Sequence, residues 1–555
     1  MNRERIPLLF RDNNNNTGLS VFFATLCIID IFGVFPIIAL PRAIVQCGFY
    51  GIPLVLVVFG LQIYTAFLLG KSWTIATALD PHISRKNRYP LAAVTELTLG
   101  PRARSLVTLL LDLTIFGCGI PNLLVASQNL QLFGLKVSNN EFDLSFCYWL
   151  IVVGLFLCPI MWLGSPRDMK WVACLSALSV SLTAGIVWWC IIDDNSLNIR
   201  PIPTSPTWDK FISGYGMLAF QFDVHPTLMT IQVDMRQPQY INKAVIYSFI
   251  VSSGLFGVTT ILAGWKYGGG ITANVLQLIP PSYAIRAAIL ITALQLCLSS
   301  ALGHSALFQH LEDRWQIQRS FGWKRCALRS AIVFLGVAVG ESVPRFDIVM
   351  SLIGGTLTGP LVFILPPIIY IRLLSLKKHA AGRLSTPNIY SSYRRESQQE
   401  ILYEPKAHSQ SIYYGFPDGN KNPYRYAYIY YDKEQQNSTE LTDVDDDDDN
   451  DVLQPGFSKD DLQLTCKKTN DRPILIEASR INRRRRVISV EEPGGLRNYW
   501  NFFNSFGYIV IIFGILITVS STYINVKNTI RYVTFTPPCI FNVTSAFTTL
   551  NISQT

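Results

Sequence analysis

Two stretches place carboxylates and an imidazole inside segments apolar enough for lipid. The first runs Asp30-Ile31-Phe32-Gly33-Val34-Phe35-Pro36-Ile37-Ile38-Ala39-Leu40-Pro41, and the second Gly214-Tyr215-Gly216-Met217-Leu218-Ala219-Phe220-Gln221-Phe222-Asp223-Val224-His225-Pro226-Thr227. A charged side chain at the bilayer centre costs roughly 2.5–3.5 kcal/mol on insertion scales, so one kept there points to function. Asp30 has the chemistry of a cation or proton site; the plainer reading is a buried acid held by a hydroxyl of a neighbouring span. Asp223 and His225 have the chemistry of a titrating pair. At i and i+2 they diverge on an intact helix and converge only where the helix breaks. The plainer reading of His225 is a hydrogen bond to a freed carbonyl. Asp112 lies in a third apolar run, where it could pair near Asp30, meet a passing cation or serve structure alone.

The prolines and glycines beside these residues predict broken helices. Irregular backbone survives at membrane depth only where it lines a cavity or is buried in protein. N–H groups at the start of a half-helix favour a carboxylate, and freed carbonyls suit a cation or an ammonium group. A zwitterion such as an amino acid needs both. The candidate solute contacts are therefore Gly33, Val34, Phe35, Pro36, Ile37, Phe220 and Asp223, with Asp30, Asp223 and His225 as candidate ion or proton groups. The alternative is that these prolines only kink their helices.

Composition sets the frame that must hold these residues. The 555-residue chain is 49% hydrophobic and 15% charged, against about a quarter charged in typical soluble domains. Apolar blocks near 19–45, 51–71, 105–134, 147–164, 171–192, 211–233, 243–267, 284–308, 326–342, 346–373 and 501–524 predict about eleven transmembrane helices in an all-α polytopic protein. The first block is too long for a signal-peptide core and lacks a cleavage site, so it reads as a span. The net charge of +9 sits in loops between apolar runs, which argues against nucleic acid as a partner. Arg85, Lys86, Arg88, Arg102, Arg104, Arg167, Lys170, Arg236, Lys243, Arg314, Arg319, Lys324, Arg325, Lys377, Lys378 and Arg383 fall on alternate sides from Lys136, Arg200, Lys266 and Arg345. The positive-inside rule then puts the N-terminus in the cytosol and the C-terminus in a lumen or outside.

The predicted organisation is a cytosolic tail over 1–18, spans over 19–374, a disordered cytosolic loop over 375–498, a last span over 499–530, and a lumenal or extracellular tail over 531–555. The loop carries an acidic run at Asp445–Asp449 and a basic run at Arg483–Arg486, without sustained apolar periodicity. Sequons at Asn542 and Asn551 fall on the lumenal tail as glycosylation candidates. Glu4, Leu8 and Leu9 resemble an acidic dileucine sorting signal, which a coat adaptor would read toward endosomes and lysosomes; the plasma membrane is the other location considered. No Walker loop, CxxC metal pair or nucleophile constellation is present, so no enzyme, no cofactor and no metal is expected beyond a co-transported H⁺ or Na⁺. His304 and His310 read as interfacial, and Glu341 with Arg345 as an anchor at the outer end of the ninth span.

Leu40-Pro41-Arg42-Ala43 followed by Gln46-Cys47-Gly48 resembles the first-helix motif of the amino acid/auxin permease family. So does Phe220-Gln221-Phe222-Asp223-Val224-His225-Pro226-Thr227, leading to Gln232-Val233-Asp234-Met235, in the sixth helix. The resemblance covers roughly 18–373 and the last span, and points to an insect mahogany-like branch. It implies a carrier with a five-plus-five inverted repeat, broken first and sixth helices and one extra C-terminal helix, moving amino acids with H⁺ or Na⁺ by alternating access. It places Ser299 and Ser300 near the family's ion-facing hydroxyls. Pro36, Arg42 and Asp223 depart from the family pattern. With the long cytosolic loop, they raise a second reading: a non-transporting amino acid sensor or signalling scaffold at the lysosomal membrane.

Overall fold

A helix crossing lipid must bond its own backbone and leave its apolar side chains outward, and these sequences do so almost everywhere. The computed structural model describes residues 18–83, 89–138, 144–162, 170–195, 201, 205–318, 321–385 and 496–532, all within one compact unit. Glu4, Leu8, Leu9, Asn542, Asn551 and residues 386–495 lie outside the described residues.

The described residues are helical, with a lone bridge between Leu19 and Met235. In order the helices are α1 (Val21–Phe32), α2 (Phe35–Gln46), α3 (Gly51–Leu79), α4 (Pro90–Leu99), α5 (Pro101–Val137), α6 (Phe146–Met161), α7 (Lys170–Asp193), α8 (Trp208–Gln221), α9 (His225–Asp234), α10 (Ile241–Tyr267), α11 (Tyr283–Arg314), α12 (Trp323–Ser342), α13 (Phe346–Ile353), α14 (Leu365–Ser385) and α15 (Leu496–Tyr532). Between α13 and α14 the chain widens into π-helical turns over Gly354–Thr358 and Pro360–Ile364.

Among the described residues, seven helices are long and apolar enough to cross a membrane, and eight if α1 and α2, bent by 51°, form one broken span. The protein is therefore a multi-pass membrane protein. The expected spans at 147–164, 211–233 and 326–342 fall on helices that are shorter or more polar. Helix α6 has 16 residues. The α8/α9 pair carries Gln221, Asp223, Gln232 and Asp234, and α12 opens with Lys324, Arg325 and Arg329. A count of about eleven is therefore not reached by length and apolarity alone. Helix α14 runs on to Ser385, past the boundary expected at 374, because Lys377 and Lys378 continue a helix readily where it leaves the lipid.

The core is formed where α11 packs along α5 and α7, α1 along α7 and α10, and α8 along α2 and α13. Helix α15 packs on α8, the π-helical turns and α14. Large apolar side chains such as Leu113, Phe156, Leu178, Ile261, Phe334 and Leu516 point outward, as a lipid-facing surface requires.

Candidate ion and solute site

The break in the first span is set by one residue. Helix α1 ends at Phe32, and Gly33 takes φ +60, a conformation that glycine enters without steric cost. Its N–H still bonds Ile29 O at 3.0 Å. Helix α2 then starts at Phe35, with Pro36 in its first turn. Pro36 removes one of the unpaired N–H groups that a helix start offers.

Asp30, in the last turn before this break, is fully buried. Its Oδ1 accepts from the Ser176 hydroxyl of α7. Its backbone carbonyl accepts from Ser299 Oγ of α11 at 2.9 Å. Gln295 Nε2 donates to Ser176 Oγ at 3.0 Å. The hydroxyl pairing that the plainer reading expects is thus present, but Asp30 Oδ2 and Gln295 Oε1 remain buried without a hydrogen-bond partner. One carboxylate oxygen and one amide oxygen are thus acceptors with unfilled capacity, the chemistry that suits a proton or a small cation. Ser300, paired with Ser299 in the sequence reading, turns elsewhere: its hydroxyl donates to Leu296 O and accepts from Asn122 Nδ2 at 2.9 Å.

The second break lies at Phe222–Val224, between α8 and α9. Asp223 Oδ1 accepts the His225 N–H at 3.1 Å, a carboxylate at the positive end of α9. Asp223 Oδ2 accepts from Thr358 Oγ1 at 3.0 Å, a residue that the π-helical stretch delivers. His225 Nε2 lies 2.9 Å from Thr65 Oγ1, so the imidazole meets a hydroxyl and not the freed carbonyl of the plainer reading. The Thr65 hydroxyl has one proton and points it at Leu61 O, 2.9 Å away. We therefore assign the Nε2–H tautomer. The bare Nδ1 then faces Asp223 Oδ1 at 3.5 Å, with both side chains buried.

The two breaks are neighbours. Phe35 meets Phe220 edge-on with ring centroids 6.0 Å apart, and Phe32 meets Phe222 at 6.3 Å. Phe59 and Phe249 complete the cluster. These rings pack together between the breaks. Close backbone approach holds α8 in place: a Cβ on Gly216 would lie 2.4 Å from Ser351 O, and one on Gly214 2.4 Å from Cys47 Sγ.

Sequence reasoning missed Ser176, Gln295, Thr65, Thr358 and Gln221. Gln221 is buried, and neither atom of its amide has a partner. It lies seven residues after Gly214, so it shares the face that α8 turns toward α2. A polar residue interrupting an apolar run was the available signal for Gln221 and Gln295. Asp112, for which pairing near Asp30 is one of three readings, lies elsewhere: its Oδ1 accepts from Tyr89 OH at 2.8 Å and from His310 Nδ1 at 3.0 Å. His304 is buried and not interfacial, because Gly119 leaves room for its ring. Glu341 Oε1 lies beside the sulfur of Cys147, which is disulfide-bonded, and Arg345 pairs with Asp347.

Residues 18–392 match the family model described as transmembrane amino acid transporter protein. Among curated relatives from Arabidopsis thaliana, amino acid transporter AVT1B is 24% identical over 61% of this chain and 62% of its own length. Amino acid transporter AVT1I is 20% identical over 65% of this chain and 88% of its own. The chain thus spans about three fifths of AVT1B's length. A solved Na⁺-coupled sialic acid symporter aligns over 64% of this chain and 79% of its own, at 13% identity and a TM-score of 0.40, too slight a likeness for any residue to be carried across. With the family model covering more than half of it, the chain belongs to the transmembrane amino acid transporter family.

Proposed function

We propose that the protein is a proton-coupled carrier that moves amino acids by alternating access, with its solute site between the breaks at Gly33–Val34 and Phe222–Val224. The observation that carries this reading is the meeting of the two breaks, one with a buried carboxylate oxygen, Asp30 Oδ2, that has no hydrogen-bond partner, the other with His225 Nδ1 unpartnered beside the Asp223 carboxylate. Backbone over Val34–Ile37 would hold the solute carboxylate. The Gln221 amide adds a donor and an acceptor on the opposite wall. Asp30 and the Asp223–His225 pair would take the coupling proton. Proton coupling is preferred to Na⁺ because one member of the pair is an imidazole, and hard cations take oxygen ligands. Eleven spans in a five-plus-five repeat complete the architecture, and the element order, a broken pair recurring after four intervening spans, supports that arrangement. The finer placement in an insect mahogany-like branch rests on the motifs of the first and sixth spans.

The test is uptake of labelled amino acids into proteoliposomes holding the purified chain, under an imposed pH gradient or an imposed Na⁺ gradient. Uptake driven by the pH gradient and abolished by a protonophore is expected. Uptake that follows Na⁺ at constant pH would replace the proton by Na⁺. Saturable binding with no uptake under either gradient would favour the sensor reading, which the departures at Pro36 and Arg42 motivate. Residence in lysosomal or endosomal membrane, through adaptor recognition of Glu4, Leu8 and Leu9, belongs to the same proposal. An acidic lumen would supply the proton gradient.

A further inference from the structure

Helices α5 and α11 run antiparallel, and their seam is polar at three successive levels. At the first, Asn122 Nδ2 donates to Ser300 Oγ at 2.9 Å, next to Ser299, which holds the Asp30 carbonyl. At the second, the His304 ring lies against Gly119 with its Nδ1 on Ser300 O at 2.8 Å, so Nε2 is the nitrogen left to accept. That ring borders a small cavity otherwise lined by apolar groups such as Phe116, Ile120, Leu157 and Val333. At the third, Asp112 Oδ1 receives both His310 Nδ1 and Tyr89 OH. The levels are spaced about 6 and about 9 Å along α11, from a rise of 1.5 Å per residue.

The third level differs from an ordinary buried ion pair. The Asp112 and His310 side chains are 22% and 19% exposed, so they stay in touch with solvent at the end of α11 nearest Arg314. The carboxylate accepts the ring's Nδ1–H and orients the imidazole, which leaves Nε2 as the nitrogen free to exchange a proton with water. Burial, and then the Asp112 carboxylate, push the Tyr89 hydroxyl well above its ordinary range, so it stays a donor throughout. The charged groups on adjoining elements are already engaged: Glu96 of α4 with Arg104 of α5, and Glu312 of α11 with Arg325 and Arg329 of α12. No lysine or arginine reaches Asp112 within ion-pair distance among the described residues.

We propose that the His310–Asp112 pair is a second proton-binding site, at the cytosolic end of the α5–α11 seam, where the coupled proton leaves the protein. The inference rests on the proton-coupled reading above and on the orientation set by the positive-inside rule. The site is one of release: the proton held near Asp30 and His225 on the lumenal half of the cycle passes to His310 Nε2 and then to water.

The test compares His310→Gln, Asp112→Asn and the double variant in proteoliposomes, reading solute–solute exchange and net pH-gradient-driven uptake separately. Exchange needs no net proton release. Each single variant should keep exchange within about twofold and lose about tenfold or more of net uptake, the size of one proton-transfer group. Net uptake should also lose its dependence on the pH of the cytosolic face, and the double variant should be no worse than the singles. Variants that match the unmodified protein in net uptake, or that lose exchange in step with it, would overturn the proposal. The unmodified protein reports separately on the underlying reading: if its own uptake ignores the pH gradient, proton coupling itself has failed.

Discussion

At Asp30 one carboxylate oxygen is held by Ser176 and the other has nothing to hold it. Asn is nearly the same size and can keep the first contact, but it cannot take up a proton. Asp30→Asn should therefore fold, with an unchanged melting curve in detergent, and lose about 100-fold in gradient-driven uptake. A variant that transports normally would move the coupling group elsewhere. Asp223→Asn keeps an acceptor for the His225 N–H but cannot carry a proton. The Asn variant should flatten the dependence of uptake on the imposed pH gradient. An unaltered profile would take the pair out of the mechanism. These acids and His225 were legible in the sequence because an ionisable residue in an apolar run is rare. Ser176, Thr65 and Thr358 were not, since hydroxyl residues are common in spans and only helix packing brings these to the acids.

The elements show where local sequence decides and where packing does. The first break follows from Gly33, whose positive φ and following proline can be read in order along the chain. The widening of the tenth span into π-helical turns was not legible. Gly354-Gly355 and Gly359-Pro360 suggest close approach, and the structure shows what approaches. A Cβ on Gly354 would lie 1.9 Å from Gly216 O, and Cβ atoms on Gly355 and Gly359 would meet Ser521 and Thr518 of α15. Backbone cannot retreat as a side-chain tip can, so Gly354→Ala should destabilise by about 1–3 kcal/mol or more. Gly257 of α10 faces open space, and Ala there should be neutral or gain up to about 1 kcal/mol. Thermal unfolding of the two variants in the same detergent separates them, and equal melting temperatures would mean that the α8 approach is looser than the structure shows. The α5–α11 seam lies at the same limit of legibility: Asp112 and His310 are far apart in sequence, and only the antiparallel register of two long helices joins them.

Across the whole molecule, orientation decides which face loads the proton and which releases it. Basic residues cluster on alternate loops of the expected topology. Of those expected on the other side, Lys136 donates to Ile279 O at 2.7 Å and Lys266 to Asp194 O, while Arg345 pairs with Asp347. Two independent readouts at the chain's ends follow. Asn542 and Asn551 should both carry glycans, seen as a mobility shift that a glycosidase removes and that Asn542→Gln with Asn551→Gln abolishes. Leu8→Ala with Leu9→Ala should move the protein from internal membranes to the cell surface, because only a cytosolic tail can meet a coat adaptor. Both results require the same topology, with the tails on opposite faces and hence an odd number of spans. Glycans at the C-terminus place it in the lumen whatever the fate of the sorting signal. Unglycosylated sequons together with an unmoved dileucine variant would remove both supports for that orientation, and would leave the His310–Asp112 pair on an unassigned side.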